Sequence, residues 1–190
     1  MTKRITISTL DAMKASGDKF VMITAYDATF ARLASEAGAE TILVGDSLGM
    51  VLQGHETTIP VSLDAMAYHT ECVARARPHS LIVADLPFMS FSNADDTLHA
   101  STRLMQAGAQ MVKLEGGTWL SDSIHRLVER GVPVCAHLGL TPQSVNVFGG
   151  YRVQGRTPKE AKSILADAVE IQDRSEEHTS ELQSPCNLVC

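Results

Sequence analysis

The sequence predicts an α/β protein built on a parallel sheet, either a doubly wound sheet or part of a (β/α)8 barrel. Five short apolar runs occur, each followed by a stretch whose apolar residues recur at helical spacing. The runs are hydrophobic throughout rather than alternating, as strands covered on both sides require. Ionisable residues recur where the runs end, and that side of a parallel sheet carries the active site.

The elements follow in order. Phe20–Asp27, FVMITAYD, is a buried strand that runs into polar residues. In Ala28–Ala37, Phe30, Leu33, Ala34 and Ala37 share one helical face, and Gly38 is the stop. Thr41–Ser47, TILVGDS, is the second strand. Leu63–Arg77 is a helix with Ser62 as its N-cap. Ser80–Pro87, SLIVADLP, is the third strand, and Asn93 caps a helix that runs to about Ala107 and stops at Gly108. Met111–Gly117, MVKLEGG, is the fourth strand, followed by a helix over Ser121–Arg130 that Gly131 ends. Val132–Gly139, VPVCAHLG, is the fifth. After a glycine-rich loop, Thr157-Pro158-Lys159-Glu160 has the form of a capping box with proline at its first helical position. Ala161, Ile164, Leu165 and Ala168 then share one face. No GxGxxG follows the first strand, which disfavours dinucleotide binding. Five strand–helix units fall short of the roughly 250 residues of a complete barrel.

Composition narrows the function. Of 190 residues, 44% are hydrophobic and 20% charged, so a packed core is expected over most of the chain. Aromatics at 5% and a net charge of −6 argue against a nucleic-acid partner, which needs stacking platforms or a basic footprint. No apolar run approaches the roughly 18 residues of a membrane span, and the start, MTKRITISTLDAMK, lacks the apolar core of a secretory signal. Cys72, Cys135, Cys186 and Cys190 form no disulfide framework, which fits a reducing, cytoplasmic setting. The chain changes character near Asp173. Residues 1–172 read as one catalytic domain, whereas 173–190 show no helical or strand period and read as a foreign or disordered tail. RSEEHTSELQSPCNLVC resembles a translated sequencing adaptor joined to a truncated gene, and Cys186-x-x-x-Cys190 lacks the second ligand pair of a metal site.

The chemistry sits at the strand ends. Asp46 ends the second strand, Asp85 the third, Lys113 and Glu115 the fourth, and His137 the fifth. Lys113 and Glu115 are two apart, so they share one face of their strand. Singly, each has a plain structural reading: a helix-capping aspartate, a lysine–glutamate ion pair, a core histidine. Together, five ionisable groups on one rim are costly to desolvate without a ligand or metal. Three carboxylates with no cysteine beside them favour a hard cation such as Mg²⁺ over Zn²⁺. Asp46 and Asp85 are the expected ligands, with Glu115 acting through water. A 2-oxo acid would complete the shell, and the metal would acidify the C–H beside its carbonyl. Lys113 would neutralise carboxylate or enolate charge, and His137 would bond the same oxygens.

Eight motifs carry a specific resemblance: ITAYD, VGDSLGM, QGHETTIPV, YHT, ADLPFM, MVKLEGG, HLGLTPQSVN and FGGYRVQGR, in this order and spacing over nearly all of residues 5–172. In these the chain resembles the ketopantoate hydroxymethyltransferase family. The resemblance implies a (β/α)8 TIM barrel, here truncated after about five βα units. It also implies Mg²⁺, and hydroxymethyl transfer from 5,10-methylenetetrahydrofolate to 3-methyl-2-oxobutanoate, giving 2-dehydropantoate in pantothenate biosynthesis. It implies metal carboxylates at Asp46, Asp85 and Glu115, and oxo-acid contacts at Asp46, Ser47, Asp85 and Lys113, with His137 lining the pocket. It places the loop 146–156 near the active site and implies a homo-oligomer, a decamer at full length. The resemblance implies a general base, a glutamate at the end of a sixth strand, beyond this sequence. Glu176, Glu177 and Glu181 do not inherit that role, so the chain as written is expected to be inactive. The alternatives are a Mg²⁺-dependent lyase or mutase of the phosphoenolpyruvate mutase and isocitrate lyase type, or a non-functional gene fragment.

Overall fold

The computed structural model describes residues 4–174. Its elements run α1 (Ile7–Ser16), β1 (Met22–Thr24), α2 (Ala28–Glu36), β2 (Thr41–Val44), α3 (Leu48–Val51), α4 (Leu63–Arg75) and β3 (Leu81–Asp85). They continue through α5 (Ala94–Gln106), β4 (Met111–Glu115), α6 (Ser121–Glu129), β5 (Val134–His137), α7 (Val145–Phe148) and α8 (Pro158–Arg174). Two 3₁₀ turns, Thr118–Leu120 and Pro142–Ser144, follow β4 and β5.

The five strands are all parallel and lie in the order β1-β2-β3-β4-β5. A doubly wound sheet reverses its strand order at a switch point. No reversal occurs here, so the sheet is of the barrel type. One face carries Ile42, Val44, Ile82, Ala84, Val112, Leu114, Val134 and Ala136, packed in a single core with residues of α2, α4, α5, α6 and α8. The other face carries Leu43, Leu81, Val83, Met111 and Cys135, which pack against Leu10 of α1 and its neighbours Ile5, Ile7 and Met13. The helices that follow the strands therefore line one face only. β2 to β5 are buried on both faces, as expected, whereas β1, expected to be buried, is largely exposed; the second face has α1 at one end and polar residues at the other.

The local signals act as read at most helix starts. Ser62 accepts from the Ala65 N–H at 3.2 Å, and Asn93 from Asp95 and Asp96. Both halves of the Thr157–Glu160 capping box form. The strands are shorter than the apolar runs. Their ladders end where side chains turn into the rim (Asp46 and Ser47 after β2) or onto a helix. Asp27, expected in the first strand, is the N-cap of α2 and accepts from Thr29 and Phe30. Helix α1 has no counterpart in the sequence reading. Only Leu10 of it is buried, so no apolar stripe marks it, although Thr6 and Thr9 cap each other and Gly17 closes it at φ 78°. Helix α8 runs through Arg174, so the boundary expected at 172 falls inside it. The tail from 175 onward lies outside the described residues.

Candidate active site

Register builds the site. Asp85 is the partner of Lys113, and Glu115 of His137. Registered partners in a parallel pair point to the same face, so these four meet on the face away from the strand-following helices. Lys113 Nζ lies 2.7 Å from Asp85 Oδ1 and 3.7 Å from Glu115 Oε1. His137 Nδ1 donates to Glu115 Oε1 at 3.1 Å, which puts the proton of that nitrogen on Nδ1. The Asp46 backbone N–H donates to Asp85 Oδ2 at 3.1 Å. All five expected ionisable residues are buried, each at most 6% exposed.

A further partner of these acids, Gln143, was not foreseen. Gln143, in the turn after β5, donates its side-chain N–H groups to Asp46 Oδ2 and to the Leu86 carbonyl, both at 2.9 Å. Its backbone N–H donates to Glu115 Oε2 at 3.0 Å. Ser47 sits one step from this network, sharing a 2.9 Å hydrogen bond with the Tyr26 hydroxyl. Tyr26 was missed as well. Its signal is positional: it follows the end of β1 by two residues, as Asp46 follows the end of β2.

The electrostatics follow from three acids around one lysine. Asp46 is pushed up to about 7 by burial and then by the charges of Asp85 and Glu115, against the opposing pull of Lys113 and Gln143. Burial alone would lower Lys113, but Asp85, Glu115 and Asp46 hold its ammonium well above the usual lysine range. Burial alone would raise Glu115, but the hydrogen bond from His137 and the charge of Lys113 bring it below the usual range. The rim thus sets three carboxylates around one lysine.

A cleft of about 360 Å³ opens beside His137, lined also by Gly116, Thr141, Phe148, Gln154 and Asp167. Phe148 and Gln154 bring the loop 146–156 to the site. Asp167 of α8 accepts from both the backbone N–H and the hydroxyl of Thr118, tying that helix to the turn after Glu115. A Cβ at Gly117 would lie 2.5 Å from the Asp167 carboxyl, so only glycine allows this approach. Among the described residues no three His, Cys, Asp or Glu side chains are spaced to hold a metal ion by themselves. Lys113 and Gln143 stand among the acids instead.

Residues 4–175 match the family model of ketopantoate hydroxymethyltransferase. The chain belongs to that family. It is 60% identical over 169 residues to the 3-methyl-2-oxobutanoate hydroxymethyltransferase of Burkholderia vietnamiensis, covering 89% of this chain and 62% of the relative. It is 59% identical over 168 residues to a Pseudomonas aeruginosa protein named 3-methyl-2-oxobutanoate hydroxymethyltransferase 2, covering 88% and 63%. The chain thus spans less than two thirds of the length of these family members. Solved structures show the same fold at low identity. A 2,3-dimethylmalate lyase of the PEP mutase/isocitrate lyase superfamily aligns with TM-score 0.61 and 15% identity, over 88% of this chain and 60% of that one. A phosphonopyruvate hydrolase in complex with oxalate and Mg²⁺ aligns with TM-score 0.62 and 17% identity, over 93% and 70%. The family and the lyase superfamily share the barrel-type architecture; the sequence identities separate them.

Proposed function

We propose that this rim binds 3-methyl-2-oxobutanoate for hydroxymethyl transfer from 5,10-methylenetetrahydrofolate, yielding 2-dehydropantoate. The observation that carries the reading is the buried Asp46–Asp85–Lys113–Glu115–His137 network in a chain about 60% identical to proteins named for that reaction. The donor set fits a hard divalent cation. It is all oxygen on the acid side, and three carboxylates, those of Asp46, Asp85 and Glu115, stand around a single lysine. Mg²⁺ takes one or two protein carboxylates and completes its shell with water and substrate oxygens, so a full protein cage is not needed. Asp46 and Asp85 would hold it, with Glu115 next to them; when bound, it would polarise the keto oxygen and acidify the adjoining C–H.

The chain's own residues do the rest. Lys113, held charged by its acids, meets the carboxylate of the oxo acid and the negative charge that develops beside the keto group. Glu115 fixes the His137 ring through Nδ1, and His137 lines the cleft. Ser47, steadied by Tyr26, offers a hydroxyl to the carboxylate. Proton removal from the oxo acid is assigned to no described residue, so binding is the direct test here. Calorimetric titration in MgCl₂ of 3-methyl-2-oxobutanoate, phosphonopyruvate and 2,3-dimethylmalate should show the first binding tightest. Preference for either of the others would overturn the reading in favour of lyase or hydrolase chemistry.

A further inference from the structure

We propose that Gln143 is a positioning residue for the cation, resting on the reading of the site given above. It holds Asp46 in place for a divalent ion without neutralising it. A primary amide nitrogen has two N–H donors. Both are spent on acceptors, Asp46 Oδ2 and the Leu86 carbonyl, each at 2.9 Å. That pairing fixes which end of the amide faces Asp46, because the amide oxygen could bond neither partner. The residue is 6% exposed and spans three elements: the end of β2, the chain after β3 and, through its own backbone, Glu115 of β4.

Its neutrality is the functional point. Lys113 holds Asp85 at 2.7 Å and cancels one charge in doing so. A second lysine at 143 would cancel another and leave little to attract a cation. An amide orients Asp46 without adding a positive charge beside it. It also takes only one oxygen: Asp46 Oδ1 makes no hydrogen bond to any described residue. Groups that orient a metal ligand from behind are generally worth about 10–100-fold in metal affinity. The turn is built to present this side chain. Pro142 sits at its first position, and Thr141 and Gln143 are both buried.

The test is Mn²⁺ binding to the 190-residue chain, followed by electron paramagnetic resonance at 10 °C, with folding checked by circular dichroism. Gln143→Met keeps the shape and removes both donors; it should weaken Mn²⁺ about 10–100-fold. Gln143→Asn keeps the amide but shortens its reach by one methylene, and should also weaken binding. Affinity within twofold of the unaltered chain in either folded variant overturns the proposal, whatever its thermal midpoint. Unfolding of both variants at 10 °C overturns it in favour of a purely structural role. No Mn²⁺ binding by the unaltered chain overturns the cation site itself, and the role of Gln143 with it.

Discussion

Three pairs of residues on the inner face set two regions side by side. Val83 and Asp85 on β3, Met111 and Lys113 on β4, and Cys135 and His137 on β5 are each two positions apart and share one face. All six are at most 5% exposed. The first of each pair belongs to the apolar cluster under α1. The second belongs to the charged network at the carboxyl end. Burial is the same and the chemistry is opposite. The apolar half is stabilised by each contact separately, whereas the charged half is tolerable only as a whole, because each member offsets the desolvation of another.

The comparison breaks most sharply at Lys113. Lys113→Met leaves three buried acids without their cation and should cost about 3–5 kcal/mol in urea unfolding at neutral pH. Replacing Lys113 and Asp85 together by Met and Leu should cost clearly less while still abolishing oxo-acid binding. Equal costs for the single and double variants would show that the network is not coupled. In the apolar half, Leu81→Ala should cost about 2–5 kcal/mol through the cavity it leaves, with oxo-acid affinity measured in the folded variant unchanged.

Asp46 sharpens the contrast through pH. Its folded value is raised to about 7 from 3.8, so the folded state favours its protonated form. That contribution is complete below about pH 3.8 and is lost as pH rises through about 7. The urea midpoint of the unaltered chain should therefore fall between those limits relative to Asp46→Asn. Parallel curves would count against the raised value. The smallest effect belongs to the outside of the helices. Glu71 pairs with Arg75 and Arg103 across exposed surface, and Glu71→Ala should change stability by about 0.5 kcal/mol or less with binding intact.

The legible part of the fold was what hydrophobic runs and punctuation mark. Five strands, the helix after each unit and most caps follow from runs, Gly stops and Ser, Asn or Thr starts. The strand-end acids, Lys113 and His137 were legible because a charged residue inside an apolar run stands out. Gln143 was not. It is neutral, lies in a loop, and reaches Asp46 only because the Pro142 turn folds it back, which no period in the sequence encodes. Strand ends were overextended for the same reason: apolar character continues past the last ladder bond. The barrel type over the doubly wound one was decided by strand order, which is a property of the sheet and not of any one segment.

Strand order also sets a timetable. Because β1 to β5 lie side by side in chain order, each new strand finds its partner as the most recently made neighbour. The rim does not share this advantage. Gln143 reaches Asp46 across 97 residues of chain. At synthesis rates of about 5–20 residues per second, Asp46 waits roughly 5–20 s between its own emergence and that of the amide that holds it. During that interval β3, β4 and β5 add to the sheet one by one while Asp46 still lacks its amide, so the nascent protein is a scaffold first and a binding site only afterwards.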